Sequence, residues 1–284
     1  MSKMEKIRTG KLNPHALELP IEVQPIERAK SVTLKRLNYL LGFIEEKKPE
    51  AIQRYIANLQ SWYNFLSKSD LVEASGIELE SLINDMPNLA TYPNVTKAYL
   101  EYYLELIDPK TPEWMKESIT VPNENYLKAY LFPRYYNLKI LNETLGREEA
   151  IKLWKEYITR YIIYDSTQPN PPISAEELLA SRASGREDSE WVVVHGIISH
   201  GKYAYKNENC PWVDVMEGLP DRELKYLVCC YGDYQGAASR YENIVFTMEH
   251  TIAEGDPYCS RVMHDTRVDW VLDHPPKEFW DEFN

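Results

Sequence analysis

The sequence predicts an α+β protein: an N-terminal helical region followed by an antiparallel sheet with helices on one face, in the order strand-strand-helix-helix-strand-strand. Three observations carry this expectation. Through residues 31–165 apolar side chains recur at three- and four-residue intervals, the mark of amphipathic helices. From residue 190 the pattern changes to short β-branched runs separated by turn residues. Between the two lies "DSTQPNPPISAEELLASRASGREDSE", rich in Pro, Ser and Asp, which marks 166–189 as a connecting segment. Residues 1–30 then stand as an N-terminal extension, and 190–284 as an α+β region.

Taken in order, "TLKRLNYLLGFIEE" reads as the first helix, and "PEAIQRYIANLQSWYNFL" as the second, with Pro49 in a first-turn position. "TKAYLEYYLELI" is the third, closed by Asp108-Pro109. "ENYLKAYLFPRYYNLKILNETL" is helical, but Pro133 is expected to kink or split it. In "REEAIKLWKEYITRYIIY" the residues Ile151, Trp154, Tyr157, Ile158, Tyr161 and Ile162 share one face. The 21 tyrosines are expected to pack between helices with their hydroxyls at the surface. "EWVVVHGII" and "KYAYKNE" form a hairpin around Ser199-His200-Gly201. Pro211 opens a short helix after Cys210, and "PDRELKYLVCCY" is a second helix with Gly232 as its stop. "NIVFTMEHTI" alternates as a strand, and "YCSRVMHDTRVDW" is its partner across the loop "AEGDPYC".

Composition narrows the function. A net charge of −12 repels nucleic acid and anionic membranes. The N-terminus has no signal-peptide core, and no apolar run approaches the roughly 18 residues of a membrane span. The cytoplasm is therefore the expected compartment, with a small molecule as the partner and no nucleic acid or membrane. The four cysteines, Cys210, Cys229, Cys230 and Cys259, all fall near the C-terminus and include no C-x-x-C, which argues against a disulfide framework or zinc ribbon. There is no G-x-S-x-G, H-E-x-x-H, Walker A or G-x-G-x-x-G motif, which removes serine hydrolases of the elbow type, zincins, P-loop NTPases and Rossmann dehydrogenases.

The remaining chemistry is in the last third. Cys259 ends a tight loop, followed by Arg261 and preceded by His250, and a thiolate there would attack electrophilic carbon if its pKa were lowered. The competing reading is a small buried hydrophobe. Asp233 is either a neighbour of Cys230 or the N-cap of the next helix. Asp256 before Pro257 is turn chemistry, so Glu254 is the better candidate general base. His250 is a candidate for substrate binding whose competing reading is a satisfied core histidine, and Cys210, Cys230 and Cys259 with a histidine are a possible zinc set.

"CPWVDVM", "CCYGDY" and "TIAEGDPYC", in that order, together with "LNETLGREEAIKLW" upstream, resemble the L-2-amino-thiazoline-4-carboxylic acid hydrolase family over residues 140–265. The ending is similar, more distantly, to vinyl-reductase-type ligand-binding domains. The resemblance implies hydrolytic opening of a small ring; no cofactor is expected, with zinc as the alternative. It places Cys259, Asp233, Thr251, Gly255, Cys210 and Cys230 on the motif. On this basis Cys259 is the expected nucleophile, Asp233 or Glu254 the acid/base, Thr251 a substrate hydrogen-bonder and Gly255 the residue shaping the loop. Two features depart from the pattern: "SRV" follows the last cysteine, so that Arg261 is available to a substrate carboxylate, and a long helical segment precedes residue 140. The expectation is a hydrolase cleaving C–N or C–S in a cyclic amidine, thiazoline-like ring or cyclic amide. The alternatives are a non-catalytic small-molecule or zinc-binding module, and an accessory protein with the helical region as its partner surface.

Overall fold

Alternating strands and their turns build a five-stranded sheet and a two-stranded ribbon in the computed structural model, which describes residues 6–68, 70–108, 117–166 and 168–284. The strands are β1 (Lys6–Thr9), β2 (Pro20–Val23), β3 (Ile119–Pro122), β4 (Val193–Ser199), β5 (Lys202–Asn207), β6 (Ile244–Met248) and β7 (Cys259–Asp265). Five of them form an antiparallel sheet in the order β1-β4-β5-β7-β6. The expected hairpins β4–β5 and β6–β7 are both present, and β7 pairs with β5 to join them. The class is α+β.

The chain divides into two compact units, one comprising Met1–Ala16 with Ile158–Asn284 and the other Leu17–Tyr157. The first unit holds the five-stranded sheet, and β1 reaches it from the segment read as an extension, pairing Thr9 with Val193 and Lys6 with Gly196. One sheet face presents Val193, Tyr203, Tyr205, Phe246, Met248 and Met263, which bury against Ala175 and Leu178 of helix Ala175–Ala183 and Ala237 of helix Gly232–Arg240. Ser174 starts the former helix with a reciprocal capping box to Glu177, two orphan donors satisfied at once. Asp221 caps helix Arg222–Cys229 through Leu224 N–H. The opposite face presents Val194, Ala204 and Val262, covered by Trp280 and Phe283 of the C-terminal segment. Helix Lys277–Glu282 thus adds cover on a second face beyond the expected arrangement.

Two local expectations fail in this unit. Gly232 does not stop a helix; Cys230 is the C-cap of the preceding one, and Gly232 begins Gly232–Arg240, where an added Cβ would press on Ile162. Asp233 accordingly lies inside that helix rather than at its N-cap, which is Tyr231.

The second unit contains helices Lys35–Lys47, Ile52–Leu66, Pro93–Ile107 and Asn123–Leu145, and the ribbon β2–β3. Pro109, expected to close the third of these, lies outside the described residues. Pro133 does not split its helix, which runs unbroken through it. The Tyr63 hydroxyl donates to Pro133 O and Asn137 Oδ1, and that of Tyr55 to Asn137 O. Tyr55, Tyr63, Tyr99, Tyr103, Tyr135 and Tyr157 are almost wholly enclosed, so these hydroxyls are not at the surface as expected.

Candidate functional site

Alternation on β5 and β7 decides which side chains meet. Tyr203, Tyr205 and Asn207 stand opposite Met263, Arg261 and Cys259 on the face covered by helix Ala175–Ala183. A cavity of about 240 Å³ opens above them, lined by Arg182, Arg186, His195, Tyr205, Asn207, Cys210, Cys230, Asp233 and Arg261, among others. A second lobe of about 180 Å³ shares Arg182, Tyr205, Asp233 and Arg261 and extends toward Arg240 and Tyr241. The two lobes form one cleft with four guanidiniums and one carboxylate, a cationic site on an acidic protein.

At its floor Arg261 Nη2 lies 3.1 Å from Asp233 Oδ2. Arg182 and Arg261 both sit near the Tyr205 ring, at 5.3 and 5.8 Å from its centroid. Burial raises the Asp233 pKa, with Arg261 and Arg182 pulling the other way. Burial opposes the Arg261 charge, but Asp233, Tyr205 and the nearby cysteines outweigh it and hold the guanidinium protonated. Two atoms of cleft residues, Arg261 Nε and Asn207 Oδ1, are buried with no hydrogen-bond partner among the described residues. Such orphaned groups are costly unless a ligand satisfies them. His195 is clamped by Thr9 Oγ1 at Nε2 (2.9 Å) and the Tyr203 hydroxyl at Nδ1 (2.6 Å). Burial, aided by Arg186 and Arg182, lowers its pKa to about 4, so it is neutral at pH 7.

Of the residues expected from sequence, Asp233, Arg261, Cys210 and Cys230 line the cleft. Cys259, expected as an accessible nucleophile, is 1% exposed and does not line it. Its Sγ accepts from Ile252 N–H at 3.4 Å, and burial raises its pKa despite Arg261. Cys259, Cys230, Cys210 and Asp233 are near enough to act on one another electrostatically, so the motif does converge. But burial pushes Cys210 up to about 12 and raises Cys230 well above its usual value, so these thiols are held protonated.

The loop residues are occupied elsewhere. Thr251 Oγ1 accepts from Glu254 N–H and donates to Glu254 Oε2, which caps the turn Ile252–Glu254. Glu254, expected as general base, is exposed and outside the cleft, as is Thr251, expected at the substrate. Gly255 has φ 104°, a left-handed conformation, so it shapes the loop as read but does not line the cleft. His250 points its Nδ1 at Ser260 Oγ on the other sheet face. Among the described residues no three His, Cys, Asp or Glu side chains come together as a metal ligand set.

The sequence reading missed Arg182, Arg186, Arg240, Tyr205, Asn207 and His195. The capped helix start ahead of Arg182, and the Tyr203-Tyr205-Asn207 alternation, were signals in the sequence for three of these residues, Arg182, Tyr205 and Asn207.

The cleft is thus a cationic cavity in an α+β fold, built on a sheet face under a helix. The family model for L-2-amino-thiazoline-4-carboxylic acid hydrolase matches residues 124–262, just under half of the chain, and this stretch is similar to that family. The matched stretch contains every named cleft residue. No curated protein and no solved structure matches the chain significantly. No described helix is long and apolar enough to cross a membrane.

Proposed function

We propose that this protein is a hydrolase that opens a small ring bearing an amidine or amide nitrogen and a carboxylate. The observation that carries the reading is the pair of orphaned atoms in the cationic cleft. Arg261 Nε requires an acceptor and Asn207 Oδ1 a donor, and both residues line the same cavity. A ring with an exocyclic or ring N–H and a carboxylate offers both. Arg182 and Arg186 add charge for the carboxylate. The family match supports hydrolysis as the chemistry.

The chemistry follows from the groups at hand. Water adds to the amidine carbon of the ring, its proton going to Asp233. The C–S or C–N bond then breaks, and Asp233 returns the proton to the departing heteroatom. Desolvation at the cleft floor raises the Asp233 pKa, which suits the carboxyl to this exchange. Arg261 keeps Asp233 in place. Cys230 and Cys210 wall the cavity as thiols. Cys259, enclosed beneath, supports the loop Thr251–Cys259 through Ile252 N–H rather than attacking substrate.

The test is turnover of 2-amino-thiazoline-4-carboxylate and a panel of cyclic amidine carboxylates, followed by thiol release and product mass. Wild type is expected to open at least one of these rings, with Asp233→Asn slower by 100-fold or more while remaining folded by circular dichroism. Binding without turnover by wild type would mean a ligand-binding module, and full activity in Asp233→Asn would remove the carboxylate from the mechanism.

A further inference from the structure

The sheet face opposite the cleft carries a constellation that the ring-opening site does not use. Asp269 Oδ2 lies 2.6 Å from His264 Nδ1, and His264 Nε2 lies 2.9 Å from Thr247 Oγ1. His264 is fully enclosed and Asp269 is 7% exposed. Thr247 lines an open cavity of about 850 Å³ together with Lys202, Met248, His274, Pro275 and Phe279.

From this geometry we propose that Thr247, His264 and Asp269 form a second hydrolytic centre, one that takes a small ester with an apolar acyl group. The order carboxylate, imidazole, hydroxyl is the arrangement that activates a hydroxyl nucleophile: the carboxylate fixes the Nδ1–H tautomer, leaving Nε2 to accept the hydroxyl proton. Burial lowers the His264 pKa although Asp269 opposes it, so the ring is free to take that proton. Lys202 Nζ lies 3.7 Å from Asp269 Oδ2 and donates to Asp273 O at 3.2 Å, which helps to fix the carboxylate behind His264. Leu272, Pro276 and Phe279 give the cavity its apolar wall.

Packing alone explains only part of the arrangement. His274 bridges Thr247 Oγ1 and Ser260 Oγ, at 2.9 and 3.0 Å, and so ties the C-terminal segment to the sheet. That tie does not require a buried carboxylate behind a second imidazole, nor a cavity at the hydroxyl. His264, Asp269 and His274 also lie past the stretch matched by the family model, although Thr247 lies within it.

In the reaction the Thr247 oxygen bonds to the ester carbonyl carbon and its proton passes to His264 Nε2. Collapse breaks the bond to the alkoxy group, which leaves as the alcohol with that proton. Water then attacks the acyl-threonine, His264 taking its proton and returning it to Thr247 Oγ1 as the acid departs. Asp269 keeps its hydrogen bond to His264 Nδ1 throughout.

The experiment is incubation of the full chain with an alkyl fluorophosphonate and, separately, with p-nitrophenyl butyrate, with labelled peptides mapped by mass spectrometry. Phosphonylation at Thr247 and ester hydrolysis are expected, the rate falling at least 100-fold in Asp269→Asn and persisting in Thr247→Ser. Labelling in wild type requires no variant to fold. An unlabelled Thr247, or a label at another residue, overturns the proposal; so does hydrolysis unchanged in folded Asp269→Asn.

Discussion

Replacing Asp233 with asparagine removes the carboxylate that faces Arg261 at 3.1 Å while keeping the side-chain volume. The Arg261 side chain is 15% exposed and that of Asp233 39%, so the pair lies between a buried and a surface salt bridge. Breaking a buried pair costs about 3–5 kcal/mol because the other charge is left unpaired. A surface pair is worth about 0–1 kcal/mol. The guanidinium is near the buried limit and the carboxylate is open to the cleft, which places Asp233→Asn at about 2 kcal/mol of destabilisation. In a unit of this size that lowers Tm by about 4–8 °C. The assay is a double-mutant cycle with Arg261→Met, followed by urea unfolding. The double variant is expected to recover part of the loss, giving a coupling of about 1–2 kcal/mol, because the uncompensated charge is gone. A coupling below about 0.3 kcal/mol would refute the view that the two side chains hold one another at the cleft floor.

Other predictions concern the remaining parts of the account. At pH 7 the native protein should react slowly with iodoacetamide at Cys210, Cys230 and Cys259, all raised by burial, and quickly once unfolded in urea; rapid native alkylation of Cys259 below pH 7 would restore it as a thiolate nucleophile. His195 has a folded pKa of about 4 against 6.5 unperturbed, so below pH 6.5 the unfolded chain binds the extra proton. Stability should therefore hold above pH 6.5 and fall from there toward pH 4, with a smaller fall in His195→Gln, as read from urea midpoints. Thr251→Ala should cost about 1 kcal/mol through loss of the cap, while Glu254→Gln leaves ring-opening activity within about twofold. Trp280→Ala, which empties a fully enclosed site on the second sheet face, should cost about 3–5 kcal/mol by thermal or urea unfolding.

The sheet was legible because its strands alternate: Ile244, Phe246 and Met248 face one way, Val245 and Thr247 the other, and only one register buries the first set. The strand at Lys6–Thr9 was not legible, since four residues of mixed polarity carry no period until β4 offers them an edge. Pro133 does not split its helix, which continues through it with the Pro133 carbonyl engaged by Tyr63. At the site, residues close in sequence to a recognisable motif were over-weighted. Thr251, Glu254 and Gly255 have the composition of a reactive loop, yet their polar atoms are spent on capping it. Arg182 and Asn207 were missed because they come from separate elements, and only the fold brings a helix and a strand together over Asp233. Asp233 and Arg261 were both singled out from sequence, but their pairing was not, since it depends on Gly232 opening a helix rather than closing one.

The most direct test is calorimetric titration of 2-amino-thiazoline-4-carboxylate into the wild type, Arg182→Met and Glu254→Gln. The cleft reading predicts saturable binding by wild type and Glu254→Gln, and at least tenfold weaker binding by Arg182→Met. Equal affinity in all three, or no binding to the wild type by this or any related cyclic amidine carboxylate, would contradict it.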